Sequence, residues 1–249
     1  MDNKTNNLSH KSIRLFTNNT LERQLLIKID GEDYHYLKNV MRISSGDELF
    51  LFNGIEGEWK SKVVQITRKY IKLEILHKNR EQINYTNIEC FFSPLNNNRH
   101  NYIIEKLTEL GILSFTPVLT SYCNIRKFNQ SKAFLRGKEA AEQCGLLQVP
   151  NVNEMIKFNE LLKQEFKNKT LIFFDEESPL KNPIEIINSL KGKKISFLIG
   201  PEGGFSDIER ASILELSNVV RLSLGSRILR ADTAAIVSAS IIQFTFGDI

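Results

Sequence analysis

Five apolar runs recur through the C-terminal two-thirds of the chain: IECFF (88–92), FTPVL (115–119), TLIFF (170–174), ISFLI (195–199) and VVRLSL (219–224). Runs this short with hardly a polar break need cover on both faces, which is the situation of strands inside a parallel sheet. Between them the apolar spacing becomes helical. In 101–111, Ile103, Ile104, Leu107 and Leu110 share one face, and in 132–145 Phe134, Gly137, Ala140, Ala141 and Cys144 share another. Strands alternating with helices predict an α/β region whose largely parallel sheet is covered on both sides.

Upstream the texture differs. From Ile13 to about Leu76 the pattern is one of short strands and turns: LFLF at 49–52, the hairpin-type pair Asn53-Gly54, then WKSKVVQI and YIKLEIL. SSGDE at 44–48 is a turn signal before a strand. A helix is expected at 31–42, where Tyr34, Leu37, Val40 and Met41 fall at helical spacing. The sum predicts a small barrel-like β domain. Residues 77–87 are polar and unpatterned and read as a linker, and residues 1–12 read as a frayed extension.

A chain of 249 residues with 41% hydrophobic and 25% charged side chains is neither disordered nor fibrous, and it holds one large domain or two ordinary ones. Its formal charge of +4 favours a polyanionic partner only weakly. Cys90, Cys123 and Cys144 stand far apart, with no CxxC pair and no nearby histidine, so no zinc or other metal site is expected. The sparse, odd count suits a reducing compartment, with Cys90 and Cys144 expected as small core residues. The opening MDNKTNNLSHKS lacks an apolar signal-peptide stretch, and no segment approaches the roughly 20 apolar residues that span a bilayer. A cytoplasmic protein is expected.

Two segments carry the chemistry. In Phe197-Leu198-Ile199-Gly200-Pro201-Glu202-Gly203-Gly204-Phe205-Ser206 a buried strand enters a glycine-rich turn, and Ser206 or Asp207 can cap the helix after it. Such a turn lets backbone approach a ligand closely. It is neither GxGxxG nor a P-loop. In Leu222-Ser223-Leu224-Gly225-Ser226-Arg227-Ile228-Leu229-Arg230-Ala231-Asp232-Thr233-Ala234-Ala235 a strand ends at Gly225, two arginines come next, and a helix of small residues begins near Asp232 or Thr233. Arginines beside a helix N-terminus favour anions.

Together, IGPEGGFS and LSLGSRILRADTA resemble the signature of the SPOUT methyltransferases. Within that class the chain is most similar to the RsmE family of 16S ribosomal RNA uracil-N3 methyltransferases. Further matches run in order: His35 to Arg42 with Ser45-Gly46-Asp47-Glu48, Phe52-Asn53-Gly54, Lys106 to Gly111, Pro117, Ala140-Ala141-Glu142-Gln143 and Val149-Pro150.

The resemblance implies a PUA-like β-barrel RNA-binding domain at 13–78 and, at 79–249, a SPOUT α/β domain with a trefoil knot. It implies S-adenosylmethionine as cofactor, held against three knot loops. Those are Phe174, Asp175 and Glu176; Ile199, Gly200, Pro201, Glu202, Gly203 and Gly204; and Leu222, Ser223, Leu224, Gly225, Arg227, Ile228 and Leu229, with Thr233 and Ala234. It also implies a homodimer acting on 16S ribosomal RNA within a 30S particle, and neither DNA nor membrane as partner.

Uracil N3 keeps its proton at neutral pH, so methylation needs a base or a group that stabilises the anion on O2 and O4. Arg230 is the expected catalytic residue for the second task. Glu202, Asp232 and Glu142 are candidate bases, and hydroxide is a fourth route. N3 lies on the Watson–Crick edge, so the target must be unpaired or extruded. Arg14, Arg42 and Lys106 are the candidate RNA contacts, because they sit in family-like segments.

Two departures stand out. The segment 142–150 reads EQCGLLQVP, without the arginines that family members carry there, and Asp232 stands where glutamate is usual. Two other readings remain open: a knotted methyltransferase acting on ribose 2′-OH, and a non-catalytic RNA-binding protein of ribosome assembly.

Overall fold

The computed structural model describes residues 13–164, 166, 168–179 and 182–247; the expected extension at 1–12 lies outside them. The chain forms two compact units. The first runs to Asn84 and includes Ala141–Val149, and the second comprises Tyr85–Ala140 and Pro150–Ile249.

The first unit contains β1 (Arg14–Phe16), β2 (Leu26–Ile29), α1 (Gly31–His35), a π-helical turn (Tyr36–Val40), β3 (Glu48–Phe52), β4 (Glu58–Ile66) and β5 (Ile71–Arg80). Its five strands lie in the order β1-β3-β4-β5-β2, with β1 parallel to β3 and the other pairs antiparallel. Ile71, Leu73 and Ile75 point into the core while Lys72 and Glu74 point away from it, the period-2 alternation of a one-sided sheet. Register shifts along β4 bend it at three places.

The helix expected at 31–42 is present in two parts. Met41 N–H donates to the Tyr36 carbonyl (3.0 Å), five residues back. That wider turn rotates the side chains beyond it out of phase with α1. Tyr34 and Leu37 stay buried, but Val40 is 66% exposed, so it leaves the expected apolar face. Strand β5 also runs to Arg80, inside the segment read as a linker. Arg80 explains the extension: its guanidinium bonds the buried Glu58 carboxylate through Nε (3.0 Å) and Nη2 (2.6 Å).

The second unit contains β6 (Glu89–Phe92), α2 (Asn97–Glu109), β7 (Ser114–Leu119), α3 (Gln130–Cys144), β8 (Asn151–Val152), β9 (Ile156–Lys157), α4 (Phe158–Leu162), β10 (Lys169–Phe174), α5 (Pro183–Asn188), β11 (Lys194–Ile199), α6 (Asp207–Leu214), β12 (Val219–Leu222) and α7 (Ala231–Phe246). The last residues of α3 count with the first unit. The sheet order is β12-β10-β11-β6-β7-β8, with β9 beside β7, and every pair is parallel.

All five expected runs are strands. Cys90 and residues 170–174 and 195–199 are buried, as interior strands of a two-sided sheet must be. Cys144 is only half-buried. From β10 the chain crosses to β11, doubles back past β10 to the edge strand β12, and then returns as α7 against α2, α5 and β11. This double reversal is where the expected knot falls. The face of α7 that packs inward carries Ala231, Ala235, Ser238, Ala239 and Ile242, at helical spacing and mostly small, so its backbone can approach closely. Among the described residues no helix is long and apolar enough to cross a membrane.

Candidate active site

In an open parallel sheet the carboxyl ends of the strands, where the chain must leave for a crossover, are where ligands settle. Here β10, β11 and β12 end side by side. The segments that leave them, residues 174–176, 199–205, 223–225 and 227–231, wall one cavity of about 620 Å³ together with Ala234 and Arg99. Small-ligand sites span about 300–1,000 Å³.

The middle wall is the glycine turn. Its fold is closed by Gly204 N–H bonding the Pro201 carbonyl (3.0 Å), with Gly204 at φ +70°. Gly200 is needed for space: a Cβ there would stand 2.6 Å from the Phe205 ring, which folds beneath the turn. Ser206, not Asp207, is the N-cap of α6. Its Oγ accepts from Glu209 N–H (3.3 Å) while the Glu209 carboxylate accepts from Ser206 N–H (3.0 Å), a complete capping box. The other Glu209 oxygen accepts from Ser121 N–H (2.7 Å), which accounts for a carboxylate that is only 4% exposed.

The first wall is held from below by ions. Asp175 borders the cavity, but its side chain is fully buried and its carboxylate is spent. It accepts from Arg221 Nε (2.7 Å), Arg210 Nε (3.2 Å) and Glu177 N–H (3.2 Å). Arg210, itself nearly buried, reaches on to Glu176 (3.4 Å), Glu177 (3.0 Å) and Asp207 (3.4 Å). The helix after the second wall is thus tied to the loop of the first.

At the opposite lip, Arg99 in the first turn of α2 grips Asp232 with Nε (3.0 Å) and Nη2 (2.8 Å) and bonds Glu202 with Nη1. These hydrogen bonds, with a smaller share from Thr233 N–H, hold the Asp232 carboxyl below the usual carboxylate range. Arg230 is the N-cap residue of α7 and its side chain is exposed beside Ile228, which is 91% exposed.

Of the residues expected to line a cofactor site, the structure brings all but two to this cavity. Leu222 closes β12 inside the core and is fully buried, because a strand's last inward side chain still belongs to the sheet. Thr233 is turned away from the face shared by Ala231 and Ala234, as helical spacing dictates. Asp175 lines the cavity but its carboxylate serves the arginines beneath it.

The expected RNA contacts fare differently from one another. Arg14 is buried, with its Nε on Glu58 (3.1 Å), so it belongs to the interior of the first unit. Burial alone would push the Glu58 carboxyl up; bonds from Arg80 and Asn79 and the charges of Arg80 and Arg14 outweigh this and leave it lowered. Lys106 is held by Glu105 (2.9 Å) and Glu109 (2.7 Å) on its own helix, which raises its pKa. Arg42 is exposed, at φ +54°. The candidate base Glu142, in the segment that belongs to the first unit, accepts from Phe16 N–H (2.9 Å) and is not part of the cavity wall.

Sequence reasoning missed Arg99, Phe205, Arg210, Arg221 and Ala231. Signals existed for two of them. Arg221 interrupts a buried strand, where a charge needs a partner, and Arg99 opposes the dipole of the helix whose first turn it occupies, so another group must hold it.

Comparison with known proteins agrees with this geometry. Residues 82–243 match the family described as an RNA methyltransferase domain, and residues 29–76 match an RNA methyltransferase PUA domain. A relative from Rickettsia conorii, named ribosomal RNA small subunit methyltransferase E, is 28% identical, with 92% of this chain and 94% of the relative covered. The protein of the same name from Bacillus subtilis is 29% identical over 92% and 93% of the two chains. A solved structure from Legionella pneumophila, described as a methyltransferase in complex with the bound cofactor SAM, superposes with a TM-score of 0.83 at 25% identity, covering 96% of this chain and 100% of that one. A ribosomal RNA small subunit methyltransferase E from Neisseria gonorrhoeae shares the fold with a TM-score of 0.85 at 24% identity, over 96% and 99% of the chains. The chain therefore belongs to the RNA methyltransferase family, in the RsmE group that its motifs resemble, with that family's PUA domain ahead of the catalytic one.

Proposed function

We propose that the protein transfers the methyl group of S-adenosylmethionine to N3 of a uridine in 16S ribosomal RNA, as a step of small-subunit ribosome biogenesis. The observation that carries this reading is the convergence of the two motif-bearing segments, 199–204 and 223–230, on one cavity with Arg230 at its lip. The cavity suits the cofactor. Its volume of about 620 Å³ is ample, and at Gly225 (φ +113°) nothing lies within 4 Å of where a Cβ would stand, so bare backbone borders the space. Residues 174–176, 199–204, 223–225 and 227–229 with Ala234 would hold it, and Asp175 would act by fixing the first of these segments.

When bound, the cofactor supplies an electrophilic methyl on a positive sulfur, which calls for no metal. The chain's own residues must then orient the uracil and manage the N3 proton. Arg230 projects from the N-terminus of α7, where helix dipole and guanidinium add, and it stabilises charge developing on O2 or O4. Arg99 positions Glu202 and Asp232 on either side of itself. Asp232, held ionised by Arg99, is a weak base, and Glu142 is engaged elsewhere. Glu202 also bonds Arg99 and serves as base only once released from it, and solvent hydroxide is the route that needs no carboxylate.

The protein acts in the cytoplasm, on RNA within a 30S particle and as a homodimer. Phe244 on α7 (72% exposed) and Tyr102 on α2 (44% exposed) support a subunit contact on that side, and sizing in solution tests it. For the reaction, tritium transfer from labelled cofactor to small-subunit particles and to naked RNA, with identification of the labelled nucleoside, is decisive. 3-Methyluridine is expected; a 2′-O-methylated nucleoside, or no transfer to either substrate, overturns the reading.

A further inference from the structure

Of the expected RNA contacts, Arg14 and Lys106 are tied to carboxylates and only Arg42 is exposed. The segment 142–150 carries no arginine, so a strand entering the cavity calls for further contacts beside Arg227 and Arg230 of its wall. One loop of the second unit has the required chemistry. Residues 120–129, directly after β7, are pinned at alternating points. Ser121 N–H donates to buried Glu209 (2.7 Å), and Cys123, 1% exposed, places its Sγ 3.3 Å from the Pro94 carbonyl. The Phe128 ring packs on Phe92 and His100, with centroids 6.0 and 5.4 Å away.

Between these anchors Tyr122, Asn124, Arg126 and Lys127 are exposed. Tyr122 is 53% exposed, and its inner side rests on the glycine turn: a Cβ added at Gly203 would stand 3.1 Å from Tyr122 Cβ. An aromatic side chain thereby springs from beside Gly203 of the cavity wall with its ring half-exposed, and two cations come after it on the same loop.

We infer that this loop receives single-stranded RNA next to the target uridine, with Tyr122 stacking on a neighbouring base and Arg126 and Lys127 meeting its phosphates. The inference rests on the RNA-methylation reading above. A uridine presented for attack at N3 has left its pair, and its neighbours lose stacking as it goes. RNA readers replace that loss with aromatic side chains, and they track the strand with cations. An aromatic side chain, with only two torsions and its Cβ packed beside Gly203, loses little freedom when a nucleobase covers its face.

The test uses the full chain and a short fluorescent uridine-containing single-stranded RNA, read by anisotropy, with cofactor affinity measured by calorimetry. Tyr122→Leu keeps the packing on Gly203 but removes the ring, and is expected to weaken RNA binding about tenfold. Tyr122→Phe keeps the ring and should bind like the original. Arg126→Ala with Lys127→Ala should flatten the dependence of log affinity on log salt by about 1.4, the share of two phosphate contacts on a single strand. Cofactor affinity should stay unchanged throughout.

The proposal is overturned if Tyr122→Leu binds RNA as the original does, or if it loses cofactor along with RNA, which would make Tyr122 part of the cofactor pocket's own structure. It is also overturned if the original chain binds no RNA. Failure of the two readings is distinguishable. Methyl transfer with no effect of Tyr122→Leu sinks the loop alone, whereas a Tyr122→Leu binding defect in a protein that methylates no RNA sinks the reaction and leaves the loop.

Discussion

The two ends of the cavity wall are built on opposite terms. The segment 174–177 lies over an ion network in which Asp175 and Arg210 are nearly fully buried. The segment 225–230 is mostly exposed, with Ile228 and Arg230 reaching into solvent. A wall whose carboxylates all share arginines of the protein, even where Glu176 and Glu177 are half-exposed, has little charge left to offer a substrate. What it offers is shape, preorganised for a ligand that carries its own reactivity. A wall with an uncommitted guanidinium offers charge to whatever approaches. In the proposed function the contrast would divide the work: the cofactor would lie against all three segments, with the fixed one giving shape alone, and the acceptor base would meet the open one at Arg230.

The largest expected effect comes from breaking the fixed wall. Asp175→Ala removes the buried carboxylate that Arg221 and Arg210 share. Although Arg210 keeps Glu176, Glu177 and Asp207, loss of a buried partner costs about 3–5 kcal/mol. Urea unfolding should show that loss, and calorimetry should show cofactor binding falling with it. A variant that lost stability but kept cofactor affinity would mean the network supports the sheet and not the wall.

Next is the open wall. Arg230→Ala is expected to lower kcat by about 10²–10³, the usual loss for one donor to a developing oxyanion, with cofactor affinity unchanged. Equal turnover in single-turnover assays would remove Arg230 from the chemistry.

Smaller effects sharpen the boundary between the walls. Ser206→Ala opens the capping box beneath the glycine turn and should cost about 1 kcal/mol in chemical denaturation, with a modest weakening of cofactor binding. No change in either would show that Phe205 packing alone holds the turn.

Arg99→Ala tests the lip. Asp232 titrates below its ordinary value in the folded chain, so the stability it lends is present above the unfolded pKa of about 3.9 and is lost as pH falls through the lower folded one. In Arg99→Ala the Asp232 titration, tracked by carboxyl NMR, should rise toward the ordinary value and that acid-side loss should vanish. An unmoved titration would mean that Thr233 N–H and the helix N-terminus, not Arg99, hold the charge.

Much of the site was legible because it is written in backbone. Gly200 and Gly203 mark places where a side chain would crowd Phe205 and Tyr122, and Gly204 and Gly225 hold a positive φ that other residues rarely adopt; both needs leave a trace in sequence. The arginines were less legible. Arg14, Arg210 and Arg230 look alike along the chain, and only the carboxylates that tertiary structure brings to the first two separate a buried strut from an exposed donor. The π-helical turn at Tyr36–Val40 was hidden for a related reason, since its apolar spacing suits an uninterrupted helix equally well.

By itself, then, the sequence determined the alternation of strand and helix, the parallel sheet and the segments that border the cavity, because apolar period and glycine placement are local properties. Only the tertiary structure decided which charges are spent and which face outward. A carboxylate from another strand or helix makes that choice, and no spacing along the chain announces which one it will be.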